Sequence, residues 1–342
     1  MTQLPVRILG KNGPLVTAIG LGCMGLGNSY TTKGVTEVER LAFLDKAFEL
    51  GSTFWVTSDV YGDSEGLIGK WFDRTGNRNK IFLATKFGYV QKNAMAFPEL
   101  RSDPVFVKEA CEKSLKRLGV AKIDLYLAHR VDGKTPIEET IAAMVELKKE
   151  GKIGYLGLSE VSSATLKRAC TVHHISAVEI EYSPFALDIE SEQIKLLQTC
   201  RELGVAVIAY SPLGRGMLTG RYTSLHDFDE GDGRRFLPRF SPENFPKNLV
   251  LVRDLMAMAA NKGCAPSQLT LAWLMAQGLD IIPLPGTTRV KNLKENLGAL
   301  DVRLTDKEVA EIRKVVEDAE VYGERYPEGF VAETFRDTPP LN

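Results

Sequence analysis

Three side chains that can handle protons close three successive apolar runs. Tyr61 lies just past Thr53-Phe54-Trp55-Val56, within Asp59-Val60-Tyr61-Gly62-Asp63. Lys86 ends Ile81-Phe82-Leu83-Ala84-Thr85-Lys86, and His129 ends Ile123-Asp124-Leu125-Tyr126-Leu127-Ala128-His129. A phenol beside an ammonium and an imidazole is a proton donor for a carbonyl oxygen. Singly, each has a plainer reading: a packing tyrosine, a surface lysine, a hydrogen-bonded structural histidine. Their order at successive strand ends points to catalysis, because in a parallel barrel those ends converge on one face.

The elements that must hold them alternate along the chain. Short apolar runs at 19–22, 53–56, 81–85, 123–128, 153–158, 177–180, 205–209 and 281–283 each precede an amphipathic stretch. Those stretches lie at 35–50, 64–72, 104–118, 136–150, 162–171, 190–203, 249–262 and 289–297. Eight strand-helix units predict a closed (β/α)8 barrel of the α/β class, with an open doubly wound sheet as the competing architecture. Pro104 and Pro136 suit first helical turns and Ser162 an N-cap, while Gly51, Gly119, Gly151 and Gly204 suit helix stops. Residues 6–17 read as a β-hairpin that could plug the N-terminal mouth. Residues 214–247 form a long stretch rich in Gly, Asp, Arg, Pro and Phe, as lids are. A trailing helix at 306–317 and a C-terminal tail complete a single domain over residues 1–342.

The 342 residues, 44% hydrophobic and 25% charged, suffice for a large core. A formal net charge of -1 speaks against nucleic-acid or membrane-surface binding by charge. Pairs such as Lys148-Lys149 and Arg234-Arg235 read as solvated faces. Cys23, Cys111, Cys170, Cys200 and Cys264 are odd in number and form no Cys-x-x-Cys pair, which predicts a reducing compartment and no metal site. With no signal-peptide stretch and no run of transmembrane length, the expected location is cytoplasmic. The sequence leaves a homo-oligomer open.

Gly20-Leu21-Gly22-Cys23-Met24-Gly25 matches Gly-x-Gly-x-x-Gly, but polar residues 28–34 separate it from the next helix, near Thr36. The dinucleotide fingerprint needs a helix opening directly on the glycines. The alternative is a strand end that a ligand or another strand approaches closely, which makes Gly22, Cys23 and Met24 candidate contacts. A phosphate site is better sought at Pro283-Leu284-Pro285-Gly286-Thr287-Thr288-Arg289-Val290-Lys291. Gly286, Thr287 and Thr288 could cradle oxygens at a helix N-terminus, with Arg289 and Lys291 pairing with one extra phosphate. Plain helix capping by the two threonines is the other reading.

These stretches together resemble the aldo-keto reductase superfamily, over residues 19–27, 54–65, 83–88, 115–130, 151–159, 209–220 and 282–297. The likeness is nearest to microbial and plant members of the pyridoxal and perakine reductase type. It implies a barrel, NADPH, and reversible reduction of a small-molecule aldehyde or ketone. By that resemblance Tyr61 is the general acid, Lys86 eases formation of the tyrosinate, and His129 orients the carbonyl oxygen. Ser159 and Glu179 fall where the family contacts the nicotinamide carboxamide, and Tyr210 where a ring stacks on the nicotinamide. Ser211, Leu213 and Gly214 match the pyrophosphate loop, and Glu295 and Asn296 the pair at the adenine.

Two positions depart from the family pattern. Val56 stands where an aspartate usually pairs with the lysine, so a buried Lys86 is expected to lack its counter-ion and to be partly neutral. Asp59 or another acid is the candidate compensator; without one, Val56→Asp is expected to raise turnover. Glu179 stands where glutamine is common, which reads as minor. Alternatives to a carbonyl reductase are an NADPH-binding, weakly catalytic or regulatory homologue, and a Schiff-base isomerase or aldolase using Lys86. Loops at 25–33, 87–102, 130–134 and 218–245, with Tyr30, Tyr89, Phe97 and Phe236, suggest a pocket for apolar or aromatic carbonyl compounds.

Overall fold

Eight parallel strands surround an apolar interior in a computed structural model, which describes residues 3–27, 34–90 and 99–341. First comes an antiparallel hairpin of β1 (Val6–Ile8) and β2 (Leu15–Thr17). The chain continues through β3 (Leu21–Gly22), α1 (Glu37–Glu49), β4 (Phe54–Val56), α2 (Ser64–Thr75) and β5 (Phe82–Phe87). A small antiparallel pair follows, β6 (Tyr89–Val90) and β7 (Glu99–Leu100), and then α3 (Pro104–Leu118) and β8 (Ile123–Ala128). Next are α4 (Ile137–Lys149), β9 (Ile153–Ser159), α5 (Ser163–Val172), β10 (Ala177–Glu181), α6 (Leu196–Leu203) and β11 (Ala206–Tyr210). The last elements are α7 (Asn244–Lys262), α8 (Pro266–Ala276), β12 (Ile281–Leu284), α9 (Val290–Leu297) and α10 (Asp306–Asp318). The strand order is β3-β4-β5-β8-β9-β10-β11-β12, the order of a (β/α)8 barrel with hairpin, extra helix and tail added.

The glycine-rich run serves the seam of this barrel. Gly20 N donates to Pro283 O at 2.9 Å and Gly22 N to Pro285 O at 3.0 Å, which ties β3 to the β12 side. A Cβ on Gly20 would press on the interior side chains of Leu284 at 2.8 Å and Phe54 at 3.1 Å. After the run comes a 3-10 turn at Met24–Gly27, and α1 starts only at Glu37, capped by Thr36 and Glu39. The strand-turn-helix of a dinucleotide fingerprint is absent here, as expected.

Alternation along the strands decides what faces the interior. Phe54 and Val56, Ala84, Leu125 and Leu127, Ala177, Ala206 and Ile208, and Ile282 and Leu284 form one interior cluster, joined by Leu9 and Val16 of the hairpin. Lys11 N donates to Gly204 O at 2.6 Å, just before β11, so the hairpin covers the N-terminal mouth. Leu83, Phe87, Val178 and Ile180, of the opposite parity, pack outward with the helices. Continued toward the C-terminal mouth, the inward parity lands on Lys86, His129, Glu179 and Tyr210, each two residues beyond an interior apolar side chain.

Three elements differ from the sequence-based expectation. The helix expected over 190–203 is only Leu196–Leu203, because Lys195 takes a left-handed φ of 49° that interrupts it. Helix α8 has no polar face to reveal it, since Leu269, Leu271, Ala272, Trp273 and Leu274 are all buried. Residues 214–240 carry a chain of short 3-10 turns, and Phe228 and Phe240 there pack with Phe245 of α7, the rings lying 5.6 to 5.9 Å apart. No helix among the described residues is long and apolar enough to cross a membrane.

Candidate active site

Tyr61 is set by the turn that follows β4. Trp55 anchors that strand, its ring 4.8 Å from Trp71 of α2 in an edge-on contact, an arrangement worth about 0.5–1.5 kcal/mol beyond its burial. Thr57 N donates to Ala84 O at 2.9 Å and Asp59 N to Lys86 O at 3.1 Å, so β4 and β5 stay in register past the strand end. The chain then reverses at Gly62, whose φ is 53° and where a Cβ would lie 2.7 Å from Gly27 O. Arg40 of α1 clamps the next residue, Asp63, through Nη1 at 2.6 Å and Nη2 at 2.9 Å. Tyr61 is thereby held partly exposed at the rim.

The structure brings the three proton-handling residues together. Lys86 Nζ lies 5.0 Å from the centre of the Tyr61 ring. The His129 ring is 5.7 Å from that ring and nearly perpendicular to it. Burial, with Lys86 and Arg130 adding to it, holds the His129 imidazole well below its ordinary value, so the ring is neutral. Ser58 Oγ sits 3.1 Å from His129 Nδ1 and 3.2 Å from Asp59 Oδ1, and its single proton can go to only one of them. Burial, followed by the charge of Glu65, pushes the Asp59 carboxyl up to about 7.

The expectation that Lys86 lacks a counter-ion is overturned. Lys86 Nζ donates to Glu179 Oε1 at 2.9 Å and Oε2 at 3.1 Å, and the two residues are only 1% and 3% exposed. Both stand on the inward face toward the C-terminal end of a strand, β5 and β10, and a glutamate is long enough to reach across the mouth. Glu179 is therefore not the minor departure it looks in the sequence. Asp59, the acid named as compensator, forms no ion pair among the described residues.

A cleft of about 1680 Å³ opens over this end of the barrel. Its walls include Gly22, Cys23, Met24, Val56, Tyr61, Lys86, His129, Ser159, Glu179, Tyr210, Ser211 and Leu213. Gly286, Thr287, Thr288, Arg289, Lys291, Glu295 and Asn296 line its other end. Gly214 alone of the expected residues lies apart, in a small neighbouring cavity with Phe185 and Arg239. Before α9, Thr287 Oγ1 accepts from Arg289 N at 3.1 Å, a local turn bond; the N-cap of the helix is Arg289, which makes no side-chain capping bond, so the threonines do not cap α9. Arg289 and Lys291 are exposed and pair with no carboxylate among the described residues. A long ligand with a phosphate at that end fits the cleft. Tyr89 and Phe236 also line it, whereas Tyr30 and Phe97 lie outside the described residues.

Other residues join the site without a sequence signal. Tyr210 is held by its hydroxyl, which donates to Glu160 Oε1 at 2.7 Å and lies 2.8 Å from the Tyr326 hydroxyl. Burial, then the Glu160 charge, pushes the Tyr210 phenol well above its usual value, so it stays protonated. Glu160 takes a left-handed φ of 52° and binds Arg325 of the tail, with Nη1–Oε1 at 3.2 Å and Nη2–Oε2 at 3.3 Å. Tyr326, Pro327 and Phe330 bring the tail into the cleft wall. A charged residue straight after the β9 end was the one available hint for Glu160. Tyr326 and Arg325 offered none, since the tail's path is a tertiary matter.

Comparisons with known proteins agree with this geometry. The model of the aldo/keto reductase family matches residues 18–317. Aldo-keto reductase str7 of Strobilurus tenacellus is 53% identical over 326 residues, 94% of this chain and 95% of its own. Aldo-keto reductase yakc of Schizosaccharomyces pombe, whose name carries NADP(+), is 49% identical over 341 residues, 99% of each chain. Among solved structures, a glycerol dehydrogenase from Gluconobacter oxydans superposes with a TM-score of 0.81 at 26% identity, covering 92% of this chain and 95% of its own.

Proposed function

The chain belongs to the aldo/keto reductase family, and we propose that it reduces an aldehyde or ketone to the alcohol with NADPH, Tyr61 giving the proton. The observation that carries this reading is the convergence of Tyr61, Lys86 and His129 in one cleft that also reaches Arg289 and Lys291, which pair with no carboxylate among the described residues. Bound NADPH supplies a hydride from its nicotinamide ring. Tyr61, at the rim, hands its proton to the carbonyl oxygen. The Lys86 charge, 5.0 Å from the ring centre, makes the resulting phenolate easier to form. With the single Ser58 proton turned to Nδ1 and not to Asp59, the neutral His129 keeps its proton on Nε2 and points a hydrogen bond at the same oxygen. Ser159 and Glu179 would meet the nicotinamide end, Tyr210 would offer a ring for stacking, and Ser211 and Leu213 would flank the pyrophosphate, whereas Gly214 lies in the neighbouring cavity. Gly22, Cys23 and Met24 close the floor beside the seam. Gly286, Thr287, Thr288, Arg289 and Lys291 take the 2′-phosphate, and Glu295 and Asn296 the adenine.

A weakly catalytic homologue loses its main ground, because that reading rested on a Lys86 without a partner. Tyr89 and Phe236 favour apolar or aromatic carbonyl substrates. The test is Tyr61→Phe with NADPH and 4-nitrobenzaldehyde. The expected result is a loss of about 10²- to 10⁴-fold in hydride-transfer rate with NADPH affinity kept. Equal rates would remove Tyr61 from its role, and a native chain without turnover on any carbonyl compound would end the reductase reading.

A further inference from the structure

We propose that Glu179 is a positioning residue of the reaction: from β10 its carboxylate holds Lys86 as an ammonium beside Tyr61, the task an acid at position 56 would perform from β4. The inference rests on the reductase reading and concerns the same site.

A lysine as buried as Lys86 keeps its charge only with a well-placed anion, because desolvating a lone ammonium costs several kcal/mol. The structure supplies one anion, and both of its oxygens face Nζ. The acids at the ends of the neighbouring strands, Asp59, Glu181 and Glu160, make no ion pair with Lys86 among the described residues. Asp59 lies 3.2 Å from Ser58 Oγ. Glu181 lies 3.6 Å from Arg215 and from Arg239, and Glu160 is paired with Arg325. The Cys23 thiol, pushed up to about 12 by burial, is no anion.

Position 56 is where a second solution would sit. Val56 is level with Ala84 on the neighbouring strand, and Lys86 follows Ala84 on the same inward face. An acid at 56 would flank Nζ from alongside, whereas Glu179 reaches it from across the barrel. Valine at 56 and glutamate at 179 thus form a matched pair: the negative charge is kept and its origin moved. The carboxylate keeps further lone-pair sites with which to accept a hydrogen bond from a carboxamide N–H, so one side chain can serve lysine and cofactor together.

The test uses four full-length proteins: native, E179Q, V56D and V56D/E179Q. Three quantities are read: single-turnover hydride transfer to 4-nitrobenzaldehyde, the NADPH Kd, and the rate at which acetic anhydride acetylates Lys86, followed by peptide mass. The isosteric E179Q is expected to slow hydride transfer by about tenfold or more with Kd within about threefold, since only charge support is lost. Its Lys86, left without an anion, is expected to acetylate at least about fivefold faster, because the neutral amine is the nucleophile. V56D/E179Q should return both to within about threefold of native, and V56D alone should gain little, as expected of two groups sharing one task. Unchanged labelling in E179Q overturns the proposal, as does a failure of V56D to rescue. A loss confined to NADPH affinity would make Glu179 a cofactor contact only, and overturns it too. If the native chain transfers no hydride, the reductase reading fails, while the labelling still decides whether Glu179 keeps Lys86 charged.

Discussion

His129 and Asp59 are neighbours across Ser58, and burial moves them in opposite senses. The imidazole is depressed, so its contribution to folding is full above about 6.5 and is lost as pH falls below that. The Asp59 carboxyl is raised to about 7, against about 3.9 in an unfolded chain, so the folded state holds that proton more tightly. Its contribution is full below about pH 4 and is lost as pH rises through about 7. Asp59→Asn cannot ionise and keeps an oxygen for Ser58. Relative to the native chain it should therefore be more stable at pH 8 than at pH 5. Urea denaturation at the two pH values measures this, and parallel behaviour of the two proteins would mean that Asp59 ionises as an ordinary carboxyl. Tyr61, Lys86 and His129 were legible from residue type and place at strand ends. The Lys86–Glu179 contact was not: alternation shows that both face inward, but it cannot say which inward side chains touch across a barrel.

Helix ends followed local chemistry closely. Pro104 stands in the first turn of α3 behind its N-cap Asp103, Ser162 caps α5, and Gly119 and Gly204 end α3 and α6 in left-handed conformations. Gly51 and Gly151 lie one residue past the helix cap, with φ of 83° and 78°. Pro136 is the exception, standing just before α4 instead of within it. The tail obeys no such local rule. Arg336 N donates to Glu160 O at 2.9 Å and Ser162 N to Arg336 O at 3.1 Å, so the tail is laid along the end of β9 by long-range bonds. Arg325 is the buried anchor of this element. Arg325→Leu leaves Glu160 without its strongest partner and should cost about 3 kcal/mol. The same experiment on Lys307→Ala, in an exposed pair with Glu311 at 3.7 Å, should show no measurable change. A loss for Arg325→Leu no larger than that for Lys307→Ala would mean that the tail is not anchored by charge.

Across the whole chain the charges nearly cancel, with a net of -1, so any attraction for an anionic ligand must be local. Arg289 and Lys291 at the start of α9 are the exposed cations at one end of the cleft. Binding of a 2′-phosphate there should weaken as salt shortens the screening length from about 10 Å at 0.1 M. NADPH affinity is therefore expected to fall with added salt, and NADH affinity much less. Arg289→Ala/Lys291→Ala should bring the two cofactors together. Equal affinity for NADH and NADPH in the native chain would refute this assignment. Ligand linkage gives an independent check: NADP⁺ at 100 times its Kd should stabilise the fold by about 2.7 kcal/mol.

The linear order of residues was enough to state the barrel, the hairpin beneath it and the trio of Tyr61, Lys86 and His129 at its mouth, because alternation, capping and strand-end placement are properties of neighbours in the chain. Helix α8 escaped because a helix buried on every side has no period to read. The close approach of another strand to Gly20 and Gly22 was legible, but the identity of that strand, the partner of Lys86 and the tail over Tyr210 escaped for a different reason. Each joins residues far apart in sequence, and closure of the barrel is what brings them within a few ångströms.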